Sequence, residues 1–144
     1  MELFTLEIIS QETVLYNDTA ESVTAPASEG EVTILAHHTP FFTKLNPGQI
    51  TIRKGGKETA LVTGNGFLDV SPNNTVTILV DSAVRVEDID IRMAEEAKRR
   101  AEEVLSQKRS RTEMLRAEAS LRRTLLELKA VRSRRRSIPG FPSE

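Results

Sequence analysis

The chain has 144 residues, of which 38% are hydrophobic and 28% charged, and its formal net charge is −1. This composition is typical of one globular domain or two small ones, and it excludes a disordered or collagen-like chain. The charge is unevenly distributed, because residues 1–84 contain 4 basic and 10 acidic residues whereas residues 85–144 contain 16 and 11. An acidic half is therefore followed by a basic half.

The chain contains no cysteine, which excludes disulfides, thiolate zinc sites and cysteine nucleophiles and permits a reducing compartment. The longest apolar runs, such as Ile78-Leu79-Val80, are far shorter than the roughly 20 residues that a membrane helix needs. Met1-Glu2-Leu3 lacks the basic start of a signal peptide. We therefore expect a soluble protein that is not exported.

Most of the first half has the pattern of half-buried antiparallel strands, with short runs rich in Val, Ile, Thr and Phe that alternate with polar residues. Turn residues such as Asn46-Pro47-Gly48 and Gly55-Gly56 separate the runs. The pattern predicts a β-sandwich or barrel over residues 1–84. The predicted strands cover residues 3–10, 13–16, 20–25, 30–35, 42–45, 49–53, 58–63, 67–71 and 76–81.

The second half favours helix, because residues 88–136 contain neither Gly nor Pro and are rich in Ala, Glu, Arg and Leu. We expect Asp88 to cap a first helix, and Ser110 with Glu113 has the form of a capping box that starts a second one. The apolar stripe of the first helix comprises Ile91, Ala94, Ala101, Val104 and Leu105. That of the second comprises Met114, Ala117, Leu121, Leu125, Leu128 and Val131.

The sequence thus predicts an α+β protein with a β domain at residues 1–84, an antiparallel two-helix hairpin at 88–136 and a flexible tail at 137–144. Both helical stripes are narrow and partly alanine, so the hairpin can bury only a modest apolar area. We therefore expect the hairpin to be only marginally attached beside the β domain, and we hypothesise that it can occupy two positions.

No group of residues predicts catalysis. The adjacent His37 and His38 could bind a metal only with further ligands, and the chain offers no third His and no Cys. A loop histidine hydrogen-bonded to the backbone is the more common arrangement. Neither a nucleophile elbow nor a phosphate-binding Gly-rich loop is present. We expect no enzyme activity and no metal site.

A basic run in the last predicted helix is the least ordinary feature of the sequence. Its residues are Arg122, Arg123, Lys129, Arg132, Arg134, Arg135 and Arg136, with Glu127 as the acid among them. A solvated helix face, an acidic protein partner and a nucleic acid are the three interpretations. Aromatic residues amount to 4%, which disfavours the base stacking of nucleic-acid modules. An acidic protein partner is favoured, with a free nucleic-acid adaptor as the alternative.

Several segments occur in an order that can be compared with known families. They are Ala25-Pro26-x-Ser28-Glu29-Gly30-Glu31-Val32-x-Ile34-Leu35, His38-x-Pro40-Phe41-Phe42-Thr43-x-Leu45-x-Pro47-Gly48, Gly66-Phe67-Leu68-Asp69-Val70, Asn74-x-Val76-Thr77-Ile78-Leu79-x-Asp81-x-Ala83, Ile89-Asp90 and Arg116-Ala117-Glu118. Together they resemble the epsilon subunit of bacterial F-type rotary ATP synthases over nearly the whole chain.

The resemblance implies a non-catalytic subunit of the central rotor that couples ion flow to ATP synthesis. Its implied partners are the gamma subunit, the ring of c subunits and, through the helices, the catalytic beta and alpha subunits, at the cytoplasmic face of the membrane. It also implies that the helices inhibit ATP hydrolysis. The implied c-ring contacts are Glu29, Glu31 and His38, and the implied inhibitory residues are Arg116, Leu121, Arg122, Arg123, Leu125 and Leu128.

Members of this family that bind ATP carry the motif Ile/Leu-Asp-x-x-Arg-Ala at the start of the first helix. This chain has Ile89-Asp90-Ile91-Arg92-Met93-Ala94, in which the arginine comes one position early. One position turns a helical side chain by about 100°. Ile89, Asp90 and Arg92 are therefore weak nucleotide-binding candidates, and we expect no cofactor.

Overall fold

The computed structural model describes residues 2–137, and the side chains of residues 2–134. The chain is divided into two compact units, with the boundary between Arg85 and Val86. The predicted tail falls on residues 137–144; Ser137 ends the last helix, and the rest of that segment lies outside the described residues.

The first unit contains ten strands within the described residues. They are β1 Phe4–Ile9, β2 Val14–Ala20, β3 Ser22–Ala27, β4 Gly30–Leu35, β5 Phe41–Leu45, β6 Gly48–Lys54, β7 Lys57–Thr63, β8 Gly66–Ser71, β9 Thr75–Val80 and β10 Ala83–Arg85. Their order in the sheet is β10-β7-β6-β3-β5-β8-β9-β1-β2, and β4 pairs with β3. The strands form a nearly closed sandwich, which confirms the predicted fold class.

The core lies inside this sandwich and is built from alternate residues of the strands, as the period of two requires. In β1, Phe4, Leu6 and Ile8 are buried, whereas Thr5 faces outward. The same alternation buries Leu68 and Val70 of β8. The hydrophobic pattern that predicted the strands is therefore the pattern that fills the core.

The structure corrects the sequence prediction at three strands. β10 was not predicted, β2 extends to Ala20, and β3 lies two residues later than expected. Pro26 lies one residue beyond the predicted strand 20–25, and proline cannot donate a backbone hydrogen bond. In β3 it lies between the residues that pair with β6 and the one that pairs with β5, where the loss of a donor is tolerated. Its carbonyl oxygen still accepts from the backbone nitrogen of Asn46 at 2.8 Å.

The second unit begins with a 3-10 helix, Val86–Asp88, followed by α1, Ile91–Ser106, and α2, Arg111–Ser137. The expected cap at Asp88 is wrong, because that residue belongs to the 3-10 helix. Asp90 is extended and caps α1 instead, since its Oδ1 accepts from the backbone nitrogens of Arg92 at 3.0 Å and Met93 at 3.2 Å. α1 and α2 pack against each other as the predicted antiparallel hairpin.

The predicted capping residues of α2 bond to each other. The backbone nitrogen of Glu113 donates to Ser110 Oγ at 3.3 Å, and this hydroxyl lies 3.2 Å from Glu113 Oε1. The two helices meet through small side chains, since the buried residues of the second unit include Ala94, Ala101, Ala117 and Thr124. Among the described residues, no helix is long and apolar enough to cross a membrane.

Candidate functional site

The three implied c-ring residues are distributed along β4. Glu29 precedes the strand at its turn with β3, Glu31 is its second residue, and His38 follows its other end. A strand advances about 3.3 Å per residue, so the five steps of β4 separate its ends by about 17 Å. Glu29 and Glu31 therefore lie together and are exposed, whereas His38 lies at the opposite end of the same strand.

The histidine pair makes local contacts rather than a ligand cluster. His38 Nδ1 lies 2.6 Å from the carbonyl oxygen of Thr39, and its ring packs against that of Phe41 with centroids 5.9 Å apart. His37 Nε2 lies 3.0 Å from Glu2 Oε2. Within residues 2–134 no three His, Cys, Asp or Glu side chains converge as metal ligands.

The nucleotide candidates lie at the start of α1, where local structure accounts for two of them. The backbone nitrogen of Ile89 donates to the Val86 carbonyl at 3.2 Å, and the Asp90 carboxylate is occupied as the helix cap. Arg92 is exposed. Asp90 therefore has a structural role as the N-terminal cap of α1, which the family resemblance did not imply.

The inhibitory candidates divide into an inner and an outer group on α2. Arg116 and Arg123 line an open cleft of about 390 Å³ between the two helices, together with Arg100 of α1. Leu121 and Leu128 are half-buried. Arg122 and Leu125 are exposed, and Leu125 retains 45% of its accessible surface. The structure therefore does not gather the six residues on one face.

The predicted apolar stripe of α2 is wrong at Leu125, because Thr124 occupies the buried position. Thr124 is 2% exposed, and its hydroxyl donates to the Ser120 carbonyl at 2.8 Å. Two helices that approach closely need small side chains more than large apolar ones. A sequence pattern that counts only hydrophobic residues therefore misses Thr124, although its spacing from Ala117 supplies the signal.

Near Thr124, one acidic side chain of α2 is partly removed from water. Burial raises the pKa of the Glu127 carboxyl, and the positive charge of Arg123 opposes this shift. In the described part of the second unit, Arg116, Arg122 and Arg123 form no ion pair with an acidic side chain. Arg134 lies 3.9 Å from Glu87 at the start of the unit, whereas the side chains of Arg135 and Arg136 are outside those described.

Comparisons with known proteins match both units. The family "ATP synthase, Delta/Epsilon chain, beta-sandwich domain" matches residues 3–86, and "ATP synthase, Delta/Epsilon chain, long alpha-helix domain" matches residues 87–132. The ATP synthase epsilon chain of Dehalococcoides mccartyi is 43% identical over 133 residues, which are 91% of this chain and 94% of that one. That of Hydrogenovibrio crunogenus is 40% identical over 126 residues, 88% and 87% of the two chains.

Solved structures resemble the chain as well. One is a chain of the Euglena gracilis mitochondrial ATP synthase, from a structure of OSCP, F1 and the c-ring, with a TM-score of 0.76 and 26% sequence identity. The match covers 89% of this chain and 80% of the Euglena chain. A chain from the central stalk and c-ring of the Tetrahymena thermophila enzyme shares the fold at a TM-score of 0.58 and 15% identity, with 88% and 95% covered. None of these relatives favours the nucleic-acid alternative. The chain belongs to the ATP synthase epsilon chain family.

Proposed function

We propose that this ATP synthase subunit performs no chemistry itself and acts in the central rotor, at the cytoplasmic face of the membrane. Its β-sandwich would join the gamma subunit to the ring of c subunits. The observation that carries this proposal is the pairing of a complete β-sandwich with a helical hairpin in one chain, with both parts matched to the family in the same order. The solved Euglena relative is part of a structure that includes F1 and the c-ring.

For the c-ring contact we propose Glu29 and Glu31 as one contact point and His38 as another. The acidic pair is exposed at the turn between β3 and β4. The distance of about 17 Å along β4 means that the two points would touch different parts of the ring. A rotor connector needs such an extended contact, because a single point would transmit torque poorly.

We propose that the helical hairpin restrains ATP hydrolysis by contacting the catalytic alpha and beta subunits. Within residues 2–134, the buried side chains of α1 and α2 are small ones, namely Ala94, Ala101, Ala117, Thr124 and Ala130. Each of these side chains buries little apolar area, so separating the helices costs less than separating helices joined by leucines. This supports a hairpin that can change its arrangement.

The charge of α2 supports an acidic partner surface. Arg116 and Arg122 form no ion pair within the described side chains, and Arg123 interacts with Glu127 through its charge without forming a close ion pair. These guanidinium groups are therefore available for bidentate pairing with carboxylates. An exposed ion pair contributes only about 0–1 kcal/mol. Several such pairs, together with Leu121, Leu125 and Leu128, would be needed to oppose rotation.

We further propose that the subunit works without a cofactor and without regulatory ATP. The Asp90 carboxylate already accepts two backbone hydrogen bonds as the cap of α1. Arg92 is placed one position before the arginine of the ATP-binding motif. Neither residue is therefore arranged to hold a nucleotide.

The test is ATP hydrolysis by the cognate catalytic core, reconstituted with the full chain or with a chain that ends at Asp88. We expect the full chain to suppress hydrolysis and the shortened chain, which retains the whole sandwich, to bind without suppressing it. Equal hydrolysis rates with both chains bound would refute the inhibitory role of the helices. If neither chain binds, the rotor role itself is wrong.

A further inference from the structure

The helical hairpin has one tethered end and one open end. The turn at residues 107–110 joins α1 to α2 covalently, so the helices can move far apart only from the opposite end. At that open end α1 begins at Ile91, whereas α2 continues to Ser137. Because α2 has 27 residues and α1 has 16, roughly 11 residues of α2, or about 16 Å, extend past the start of α1.

The buried residues give the register of the two helices. Ala101 and Ala117 line the same cleft between the helices. Seven residues further from the turn, Ala94 of α1 and Thr124 of α2 are buried. Seven residues are close to two helical turns, so each step of seven returns to the same face of a helix. The contact between α1 and α2 therefore repeats with this spacing.

The next step of seven lies beyond the start of α1. On α2 it falls beside Ala130, which is 5% exposed. On the other side it reaches Glu87, in the 3-10 helix that precedes α1. α2 packs against this 3-10 helix. The 3-10 helix therefore takes the place of α1 in the last contact of the hairpin.

A pair of opposite charges joins the two segments at the open end. Arg134 Nη1 lies 3.9 Å from Glu87 Oε2. The ion pair between Arg109 and Glu113, by contrast, lies at the tethered end. Within the described side chains, the Glu87–Arg134 pair thus links α2 to the segment before α1. We call Glu87, Ala130 and Arg134 the open-end contact.

The open-end contact is weak enough to break reversibly. The side chains of Glu87 and Arg134 keep 54% and 47% of their accessible surface, so their separation leaves neither charge buried. Ala130 buries a single methyl group, which stabilises the contact only slightly. The 3-10 helix is a single turn, in which the backbone nitrogen of Ile89 donates to the Val86 carbonyl at 3.2 Å. Such turns have poorer hydrogen-bond geometry than α-helices.

From this geometry we infer that the open-end contact regulates the opening of the hairpin. While the contact is formed, α2 is held on the 3-10 helix; when it breaks, the helices separate from that end. The inference rests on the proposed inhibition of ATP hydrolysis by the helices, and it adds a regulating contact outside the proposed inhibitory residues. Breaking the contact should strengthen inhibition, because the helices become freer to reach the catalytic subunits. A weak contact is sufficient, since a small change in free energy shifts a balanced population.

The experiment measures the distance between spin labels on the two helices of the full chain. The chain contains no cysteine, so Glu95→Cys and Lys129→Cys, at exposed positions, can be labelled specifically. We expect Glu87→Lys and Arg134→Glu each to raise the ratio of separated to closed hairpins at least twofold, because each replaces an attraction by a repulsion. The combined variant Glu87→Lys/Arg134→Glu restores opposite charges and should return the ratio to that of the labelled natural chain.

Two control variants make the same charge changes outside the open-end contact. Arg132→Glu is matched to Arg134→Glu, because Arg132 is an exposed arginine of the same helix. Glu102→Lys, at an exposed position of α1, is matched to Glu87→Lys. Neither control should change the ratio. Circular dichroism shows whether each variant is folded, and Arg134→Glu, near the end of α2, remains a test if Glu87→Lys does not fold.

Unchanged distances in both single variants overturn the inference. A combined variant that opens as much as the single ones also overturns it, because the two charges would then act independently. ATP hydrolysis by the catalytic core separates this inference from the proposed function. Inhibition at least twofold stronger in the single variants supports the regulating role, and inhibition equal to that of the natural chain overturns it while the inhibitory function stands. If the natural chain does not inhibit, both fail.

Discussion

The backbone nitrogen of His37 donates to the side-chain Oδ1 of Asn74 at 2.7 Å, although the residues are 37 positions apart. Asn74 Nδ2 donates to the Leu3 carbonyl at 2.9 Å, and the Asn74 carbonyl accepts from the backbone nitrogen of Thr5 at 3.1 Å. Asn74 thereby joins the β8–β9 turn, the start of β1 and the loop that holds the histidines.

Replacing Asn74 should release that loop. Asn74 has a φ of 63°, which glycine adopts freely and alanine does not. We expect Asn74→Gly to lose about 1–2 kcal/mol of stability through its two side-chain hydrogen bonds, and Asn74→Ala to lose more because of its backbone conformation. Urea unfolding measures both. Asn17→Ala, an exposed strand position, should change little, and an equally small loss in Asn74→Gly would contradict the assigned role.

Glycine is required at position 66 because a side chain would not fit there, and not because of its backbone φ angle. A Cβ at this position would collide with the carbonyl oxygen of Leu79 on the adjacent strand β9. That oxygen belongs to the backbone and cannot rotate away, so Gly66→Ala should destabilise the sandwich by about 1–3 kcal/mol. Thermal or urea unfolding would show this, with Asp69→Ala on the same strand as a control. A stability equal to that of the control would mean that β8 and β9 can separate without cost.

The start of α2 depends on Ser110. Its Oγ accepts from the backbone nitrogen of Glu113, so Ser110→Ala should cost about 0.5–2 kcal/mol. Hydrogen exchange at the first turn of α2 should become faster, while the sandwich remains unaffected. Ser133→Ala, in an exposed part of the same helix, should slow or preserve exchange. Unchanged protection at Glu113 in Ser110→Ala would show that packing alone fixes the helix start.

Glu127 should make the hairpin less stable as the pH rises. Burial raises its pKa above the ordinary 4.5 and Arg123 opposes the shift, so the unfolded chain loses this proton at a lower pH than the folded chain does. The contribution of Glu127 to the free energy of unfolding is fully present below pH 4.5, and it is lost as the pH rises through the pKa of Glu127 in the folded chain. Glu127→Gln should therefore gain stability relative to the natural chain between pH 4 and 7. Exposed Glu118→Gln should show no such gain, and parallel curves for the natural chain and Glu127→Gln would refute the effect.

Inhibition by the helices should depend on charge. Reversing Arg122 and Arg123 to glutamate replaces attraction to acidic partner residues by repulsion, so inhibition of ATP hydrolysis should fall severalfold, and high salt should weaken inhibition by the natural chain. The control is Arg99→Glu on α1, which is exposed and outside the proposed inhibitory residues. Inhibition that survives both the charge reversal and high salt would leave no role for electrostatics.

Many structural details were predictable from the sequence because they depend on neighbouring residues. Alternation with a period of two predicted the strand at β1, and Ser110 with Glu113 predicted the start of α2. Asp90 rather than Asp88 caps α1 because a 3-10 turn intervenes, and the energies of such alternatives differ too little for a local pattern to distinguish them. The order of motifs predicted the family independently of these details.

The sequence by itself therefore determined the two kinds of structure, their order and the family, because periodicity, turn residues and motif order are properties of the chain. Only the tertiary structure decided which residues meet. It aligned Phe67, Leu79, Ile9 and Val14 through strand pairings between distant segments. It also placed Thr124 rather than Leu125 inside the hairpin. Two helices that lie close together have room only for small side chains at their contact, and the hydrophobicity of a residue does not indicate its size.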